Sequence, residues 1–237
     1  MPVTPTIDPD APARQVGLGL PPFAYRGLRG LCHGVNRAYF RVTVDGPGVV
    51  PATGPVILAP VHRSNIDFLV VSEVTRRKLF YMAKDSLWRS PRFGTFLESI
   101  GAFPVHRAGA DRLALDRAQA VLEQGEALFL FPEGTRRSGP VVEELHEGAA
   151  FLSARTGAPV VPIGIGGSSA AMPKGSKMVR PVKIHLVVGE ALPAPARSAR
   201  GRVPRHQVHE LTEQLRAELQ RLYDEAQARV GAPVGRG

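Results

Sequence analysis

From about residue 42, short runs rich in Val, Ile, Leu and Phe alternate with longer stretches whose apolar positions recur every three or four residues. Residues 56–59, 79–83, 127–131, 160–165 and 182–188 read as strands, and residues 110–124 and 144–156 as helices between them. This alternation predicts an α/β domain, with helices covering a sheet too apolar to face water. Periodicity does not settle the strand order. Residues 1–20 are rich in Pro, Ala and Gly without a sustained period, which predicts a mobile tail. Residues 193–205 read as a linker by composition. Beyond them Val208, Leu211, Leu215, Leu219 and Leu222 predict a helix over 206–230 whose apolar stripe packs on the domain. The chain thus divides into a tail (1–20), a basic amphipathic segment (21–45), a main domain (46–192), a linker (193–205) and a C-terminal helix (206–230).

The amphipathic segment carries its own chemistry. On a helical wheel at roughly 100° per residue, Ala24, Leu28, Leu31, Val35 and Tyr39 fall on one side of residues 24–41. Arg26, Arg29, His33, Arg37 and Arg41 fall on the other. Gly27, Gly30 and Gly34 lower the intrinsic helicity, so packing or a lipid interface must stabilise the helix. Two uses of the apolar stripe stay open: covering the protein's own core, and contact with a membrane.

Composition narrows the field. Lys and Arg number 30 against 21 Asp and Glu, a formal charge of +9, which favours anionic partners. Neither a zinc-finger spacing nor an aromatic-basic sheet motif occurs, so a membrane surface and phosphate ligands are expected rather than nucleic acid. Cys32 is the one cysteine, read as a small buried hydrophobe, which rules out an internal disulfide or a cysteine metal cluster. The histidines lack metal-ligand spacing, and no metal is expected. No apolar run of about 18 residues occurs and the N-terminus lacks a signal-peptide pattern, so the expectation is a peripheral protein at the cytoplasmic face of a membrane.

The candidate chemistry lies at strand ends. His62-Arg63-Ser64-Asn65-Ile66-Asp67 follows a strand ending at Pro60 and offers a base, His62, with a carboxylate, Asp67, to fix its tautomer. Taken alone, the same residues read as a capping box with Ser64 as N-cap. A cap there places His62 outside the first turn, so capping and pairing are compatible. Arg107 follows the run 102–105, and Arg136 follows Phe131-Pro132-Glu133-Gly134-Thr135. Two guanidinia delivered from strand ends suit bidentate capture of a phosphate monoester. Gly134 lets backbone approach a ligand, and Glu133 either accepts from a ligand hydroxyl, a glycerol hydroxyl under the resemblance given below, or holds an arginine in place. Arg137 reads as solvated. Neither Cys32 nor a Gly-x-Ser-x-Gly elbow offers a covalent nucleophile.

Four blocks, His62 to Asp67, Lys84 to Arg107, Pro132 to Arg136 and Ala158 to Pro162, occur in an order that resembles the lysophosphatidic acid acyltransferase family over about residues 45–190. Two positions depart from the family pattern: Val61 where Asn usually precedes the histidine, and Glu147 where a basic residue often precedes the glycine, Gly148. The resemblance implies a mixed sheet flanked by helices, the glycerolipid acyltransferase-like fold. It makes His62 and Asp67 catalytic, and Lys84, Arg107, Glu133, Gly134, Thr135 and Arg136 substrate-binding. The implied reaction moves an acyl group from a thioester of coenzyme A or acyl carrier protein to the sn-2 hydroxyl of lysophosphatidic acid, with no cofactor. Oxyanion donors are expected among backbone amides near the start of the helix after Ser64. Other acceptors, namely glycerol 3-phosphate, another lysophospholipid or a glycolipid, fit the same blocks, as does a lipid-binding protein without turnover.

Overall fold

The computed structural model describes residues 22–106, 111–196 and 204–231. The expected tail, Arg107 and residues 197–203 of the expected linker lie outside them.

Among the described residues seven strands form one sheet: β1 (Thr43–Asp45), β2 (Val56–Pro60), β3 (Leu79–Lys84), β4 (Ala102–Val105), β5 (Ala127–Phe129), β6 (Val160–Gly166) and β7 (His185–Val188). Their order is β1-β7-β6-β2-β5-β3-β4. The pairs from β6 across to β4 are parallel, β7 runs antiparallel to β6, and β1 is parallel to β7. The sheet is therefore mixed. Every residue of β2 and of β6 is buried, as expected of strands with both faces covered.

The helices are α1 (Pro22–Ala38), α2 (Asp67–Val70), α3 (Pro91–Ser99), α4 (Arg112–Glu123), α5 (Gly148–Thr156), α6 (Ser168–Ala171) and α7 (Arg205–Arg229). In α4, Ala114, Ala118, Val121 and Leu122 recur at helical spacing and are buried. Asp111 caps it, one carboxylate oxygen accepting from the Ala114 amide at 3.0 Å. Gly157, at φ 77°, ends α5 in the left-handed conformation glycine adopts without strain. Along α7, Val208, Leu211, Leu215, Leu219 and Leu222 are all buried. The close approach of α7 to the sheet depends on two glycines of β6. A Cβ at Gly164 would lie 2.2 Å from the Leu222 carbonyl oxygen, and one at Gly166 would lie 2.1 Å from that of Ala226.

Periodicity misses several short elements, β1 and α3 among them, and overextends the strands expected over 127–131 and 182–188, the latter running only over His185–Val188. The edge strand β1 has only three residues, none of them buried. Helix α3 starts on Pro91 and carries Gly94 in its middle. The strand expected over 127–131 ends at Phe129: Leu130 still donates to the Leu58 carbonyl at 3.1 Å, but Phe131 peels away toward His62.

Helix α1 corrects the wheel reading. It docks through Tyr25, Arg29, Cys32 and Asn36, while of its apolar stripe only Ala24 and Leu28 are half-buried and Leu31, Val35 and Tyr39 are exposed. Arg29 donates to the carbonyls of Ser72, Thr75 and Arg77 at the end of a 3₁₀ turn over Val71–Val74. Asn36, fully buried, donates to the Leu69 carbonyl and to Glu73, which also bonds His33 at 2.6 Å. Leu31 is 66 % exposed and Phe23 76 %. Unsatisfied carbonyls at a helix end draw an arginine more strongly than apolar area draws a leucine, a competition a wheel does not represent. Arg29 therefore belongs to the interior contact, and Arg41 lies beyond the helix with its guanidinium on the Pro181 carbonyl. Cys32 is half-buried, and burial pushes its thiol pKa up.

Candidate active site

His62 leaves the carboxyl end of β2, the middle strand. The chain departs from β2 toward β3 on one side while β6 joins it on the other, so the flanking loops part there, as they do where α/β sheets bind ligands. His62 Nδ1 lies 3.0 Å from Asp67 Oδ2. The same oxygen accepts the backbone N–H groups of Arg63 and Ser64, each at 2.7 Å. A carboxylate can only accept, so Nδ1 carries the proton and Nε2 is left with its lone pair, unbonded by any described residue. The Phe131 ring stacks on the imidazole with centroids 3.6 Å apart and planes 12° apart. Ring orientation is thus fixed from the edge by Asp67 and from the face by Phe131.

One expectation changes here. Ser64 does not cap through its hydroxyl, which donates instead to the Met172 carbonyl at 2.8 Å; the carboxylate of Asp67 does return to the backbone, at Ser64 and Arg63.

A second layer holds the histidine loop. Glu133 is fully buried, and its Oε1 accepts the His62 backbone N–H at 2.8 Å. Arg63 Nη1 donates to both Glu133 oxygens, at 2.7 and 2.6 Å, and Nη2 to the Val141 carbonyl at 3.1 Å. The Arg63 guanidinium lies 4.8 Å from the centre of the Tyr223 ring on α7. Burial raises the Tyr223 phenol pKa, and the nearby Arg63 works against that rise. Of the two roles expected for Glu133, holding an arginine is the one this geometry allows. Its oxygens are taken and no surface is left for an acceptor hydroxyl. Arg63, Phe131 and Tyr223 were not anticipated. Arg63 is adjacent to the histidine and Phe131 immediately precedes the third block, but nothing in the sequence links Tyr223 to a site so far upstream.

The loop after β5 continues past Glu133. Gly134 has φ 65°, and a Cβ there would lie 2.5 Å from the His146 ring, so this position requires glycine. Thr135 is exposed. No described residue bonds the Arg136 guanidinium, whose neighbour Arg137 donates its backbone N–H to the His62 carbonyl at 2.9 Å. Arg137 is not simply solvated, because Nη1 pairs with Glu143 at 2.8 Å. Lys84 ends β3, exposed, at the same edge of the sheet from which His62 emerges. Arg107, the other expected clamp residue, lies outside the described residues. Beside this loop opens a cavity of about 510 Å³, walled by Met82, Leu115, Leu130, Phe131 and Leu152, with Gly134 among its polar margin. Among the described residues no group of three His, Cys, Asp or Glu could hold a metal ion.

The sequence profile of the family described as Acyltransferase matches residues 41–166, more than half of the chain, and spans the His62 loop, Lys84 and the loop after β5, leaving Met172 and Tyr223 outside it. The chain belongs to the acyltransferase family. It is 31 % identical over 144 residues to a 1-acyl-sn-glycerol-3-phosphate acyltransferase of Bacillus subtilis, covering 60 % of this chain and 69 % of that protein. A Chlamydomonas reinhardtii protein of the same name is 28 % identical over 159 residues, covering 65 % of this chain and 48 % of its own length. The crystal structure of the 1-acyl-sn-glycerophosphate (LPA) acyltransferase PlsC from Thermotoga maritima superposes with a TM-score of 0.64 at 24 % identity, covering 84 % of this chain and 82 % of that one. This last likeness shows a shared fold.

Proposed function

We propose that the protein transfers a fatty acyl group from an acyl thioester to the sn-2 hydroxyl of lysophosphatidic acid, giving phosphatidic acid. The observation that carries this reading is the His62–Asp67 pair, which leaves Nε2 unbonded at the carboxyl end of the central strand. Nε2 takes the proton of the acceptor hydroxyl as its oxygen attacks the thioester carbonyl. Asp67 stabilises the imidazolium that forms. Collapse of the tetrahedral intermediate breaks the C–S bond, and the imidazolium returns its proton to the departing thiolate. No cofactor enters; the thioester, of coenzyme A or acyl carrier protein, is a co-substrate. The apolar walls of the adjoining cavity suit an acyl chain.

In the same reading Arg136, with Arg107 and Lys84, holds the phosphate of the acceptor and so fixes the position of its hydroxyl. Arg136→Ala is expected to raise the KM for lysophosphatidic acid by about thirtyfold, equivalent to about 2 kcal/mol, and to leave that for acyl-CoA nearly unchanged. A panel of phosphorylated and dephosphorylated acceptors, assayed with labelled acyl-CoA, tests this. Equal use of both by wild type and variant removes the phosphate clamp, and preference for glycerol 3-phosphate or a glycolipid replaces the acceptor.

The substrates live in membranes, yet no described helix is long and apolar enough to cross one. The reading therefore includes peripheral docking through α1, whose Leu31, Val35 and Phe23 face outward beside Arg26 and Arg37. Each basic residue near an anionic surface contributes about 1 kcal/mol. Arg26→Gln with Arg37→Gln should weaken binding to anionic vesicles by about tenfold or more at low salt, measured by co-sedimentation, whereas Arg29→Gln should act on stability instead. Equal pelleting of the double variant and wild type would place the membrane contact elsewhere.

A further inference from the structure

The 3₁₀ turn over Asp85–Arg89 and helix α3 form a small unit turned inside out. Its largest aromatic, Trp88, is tucked toward α3: its indole N–H donates to Glu98 at 2.9 Å, and a Cβ at Gly94 would come within 2.7 Å of its ring. With Gly94 and Leu97 on the inner side, the other apolar side chains of α3 have nowhere to go but out. Phe93 is 45 % exposed and Phe96 43 %, and they stack on each other with centroids 6.2 Å apart; Leu87 is exposed beside them.

The charges follow the same division. Asp85 pairs with His106 at 2.7 Å and Glu98 receives Trp88, while Arg89 and Arg92 are exposed and have no carboxylate partner among the described residues. An apolar aromatic pair rimmed by unpaired arginines matches an anionic lipid surface. The topology places this patch on the side of the sheet where α1 lies. The crossover from β2 to β3 passes over β5, and that from β3 to β4 continues in the same direction, so right-handed connections put α2 and α3 on one face. The step from β4 back to β5 reverses direction and puts α4 on the other, where it packs with α5. Helix α1 packs on α2, so the outward Phe23 and Leu31, the exposed Phe68 of α2 and the α3 pair share one side.

We propose that Phe93 and Phe96 of α3 are a second point of insertion into an anionic bilayer, independent of α1 and closer in sequence to the residues at the mouth of the site. This rests on the reading of the chain as an enzyme that meets its acceptor in a membrane. The test uses the full chain, vesicles of phosphatidylcholine with phosphatidylglycerol, and the variant Phe93→Ser with Phe96→Ser, whose side chains lie outside the buried core. Partitioning onto the vesicles is expected to fall by about tenfold or more and, unlike the arginine effect, to persist at high salt. Turnover of a short-chain lysolipid kept monomeric in solution should be unchanged. Phe93→Trp should bind as the wild type does, and the emission it adds to that of Trp88 should be quenched by brominated lipid. Unchanged partitioning of the serine variant together with no quenching of the tryptophan would overturn the proposal. So would a dimer in lipid-free solution that the serines dissolve, which assigns the face to a second copy of the chain. Parallel loss of monomeric turnover also overturns it, by tying α3 to the active site. Failure of the acyltransferase reading is separate: the wild type would then bind vesicles and turn over no acceptor.

Discussion

Replacing His62 by alanine is expected to lower kcat by roughly 10²- to 10⁴-fold or more with every acceptor, while circular dichroism and thermal unfolding stay close to those of the wild type. The side chain bonds one group, Asp67, and stacks on one ring, Phe131, so its removal takes little from the core. Asp67→Asn probes the same pair more finely. An asparagine oxygen can still accept from the Arg63 and Ser64 amides and from Nδ1, so the geometry survives, but the charge opposing the imidazolium is lost. The other carboxylate oxygen, buried and without a partner among the described residues, becomes an NH₂ group in the same position. That adds an unsatisfied donor costing about 1–3 kcal/mol of stability. Near wild-type turnover by His62→Ala would remove the assigned base.

The second large effect concerns Arg63, which touches neither substrate in the proposed reaction. Arg63→Met is expected to destabilise the fold by about 3–5 kcal/mol, because it leaves the Glu133 carboxylate buried and unpaired. Adding Glu133→Met should recover much of that loss, since a buried ion pair exchanged for apolar groups of similar size is often close to neutral. Activity should not return with stability. The His62 backbone N–H would lose its acceptor and the loop its register against the β5 loop. Denaturant unfolding and kcat measured on the two single variants and the double separate these roles. Recovery of both quantities in the double variant would show that the pair serves stability alone.

What was legible in the sequence follows from the range of the interactions involved. Strands β2, β3, β5, β6 and β7 and the two helices α4 and α5 are written in local apolar periodicity, and the His62–Asp67 pair in a five-residue spacing that the loop geometry respects. The fates of Glu133 and Arg29 were not legible, because each is decided by a partner chosen in three dimensions. For Glu133 it is an arginine 70 positions away, and for Arg29 it is the carbonyls left over at the end of a 3₁₀ turn. Charged residues in motifs read naturally as ligand contacts. In the folded chain some of them are consumed in holding the loop that carries the chemistry. The same reason explains α1 and α3: periodicity finds an amphipathic helix but does not say which side faces in. Gly94 beneath Trp88 and Asn36 against Leu69 decide that only once the neighbours are in place.

The most direct test of the central claim is positional analysis of the product. Purified protein would be incubated with lysophosphatidic acid and acyl-CoA labelled in the acyl chain, and the labelled lipid recovered and cleaved with an sn-2-specific lipase. The account predicts labelled phosphatidic acid whose label is released from the sn-2 position, formed by the wild type and lost with His62→Ala. No labelled phosphatidic acid from the wild type, or label at sn-2 in equal yield from His62→Ala, would contradict it.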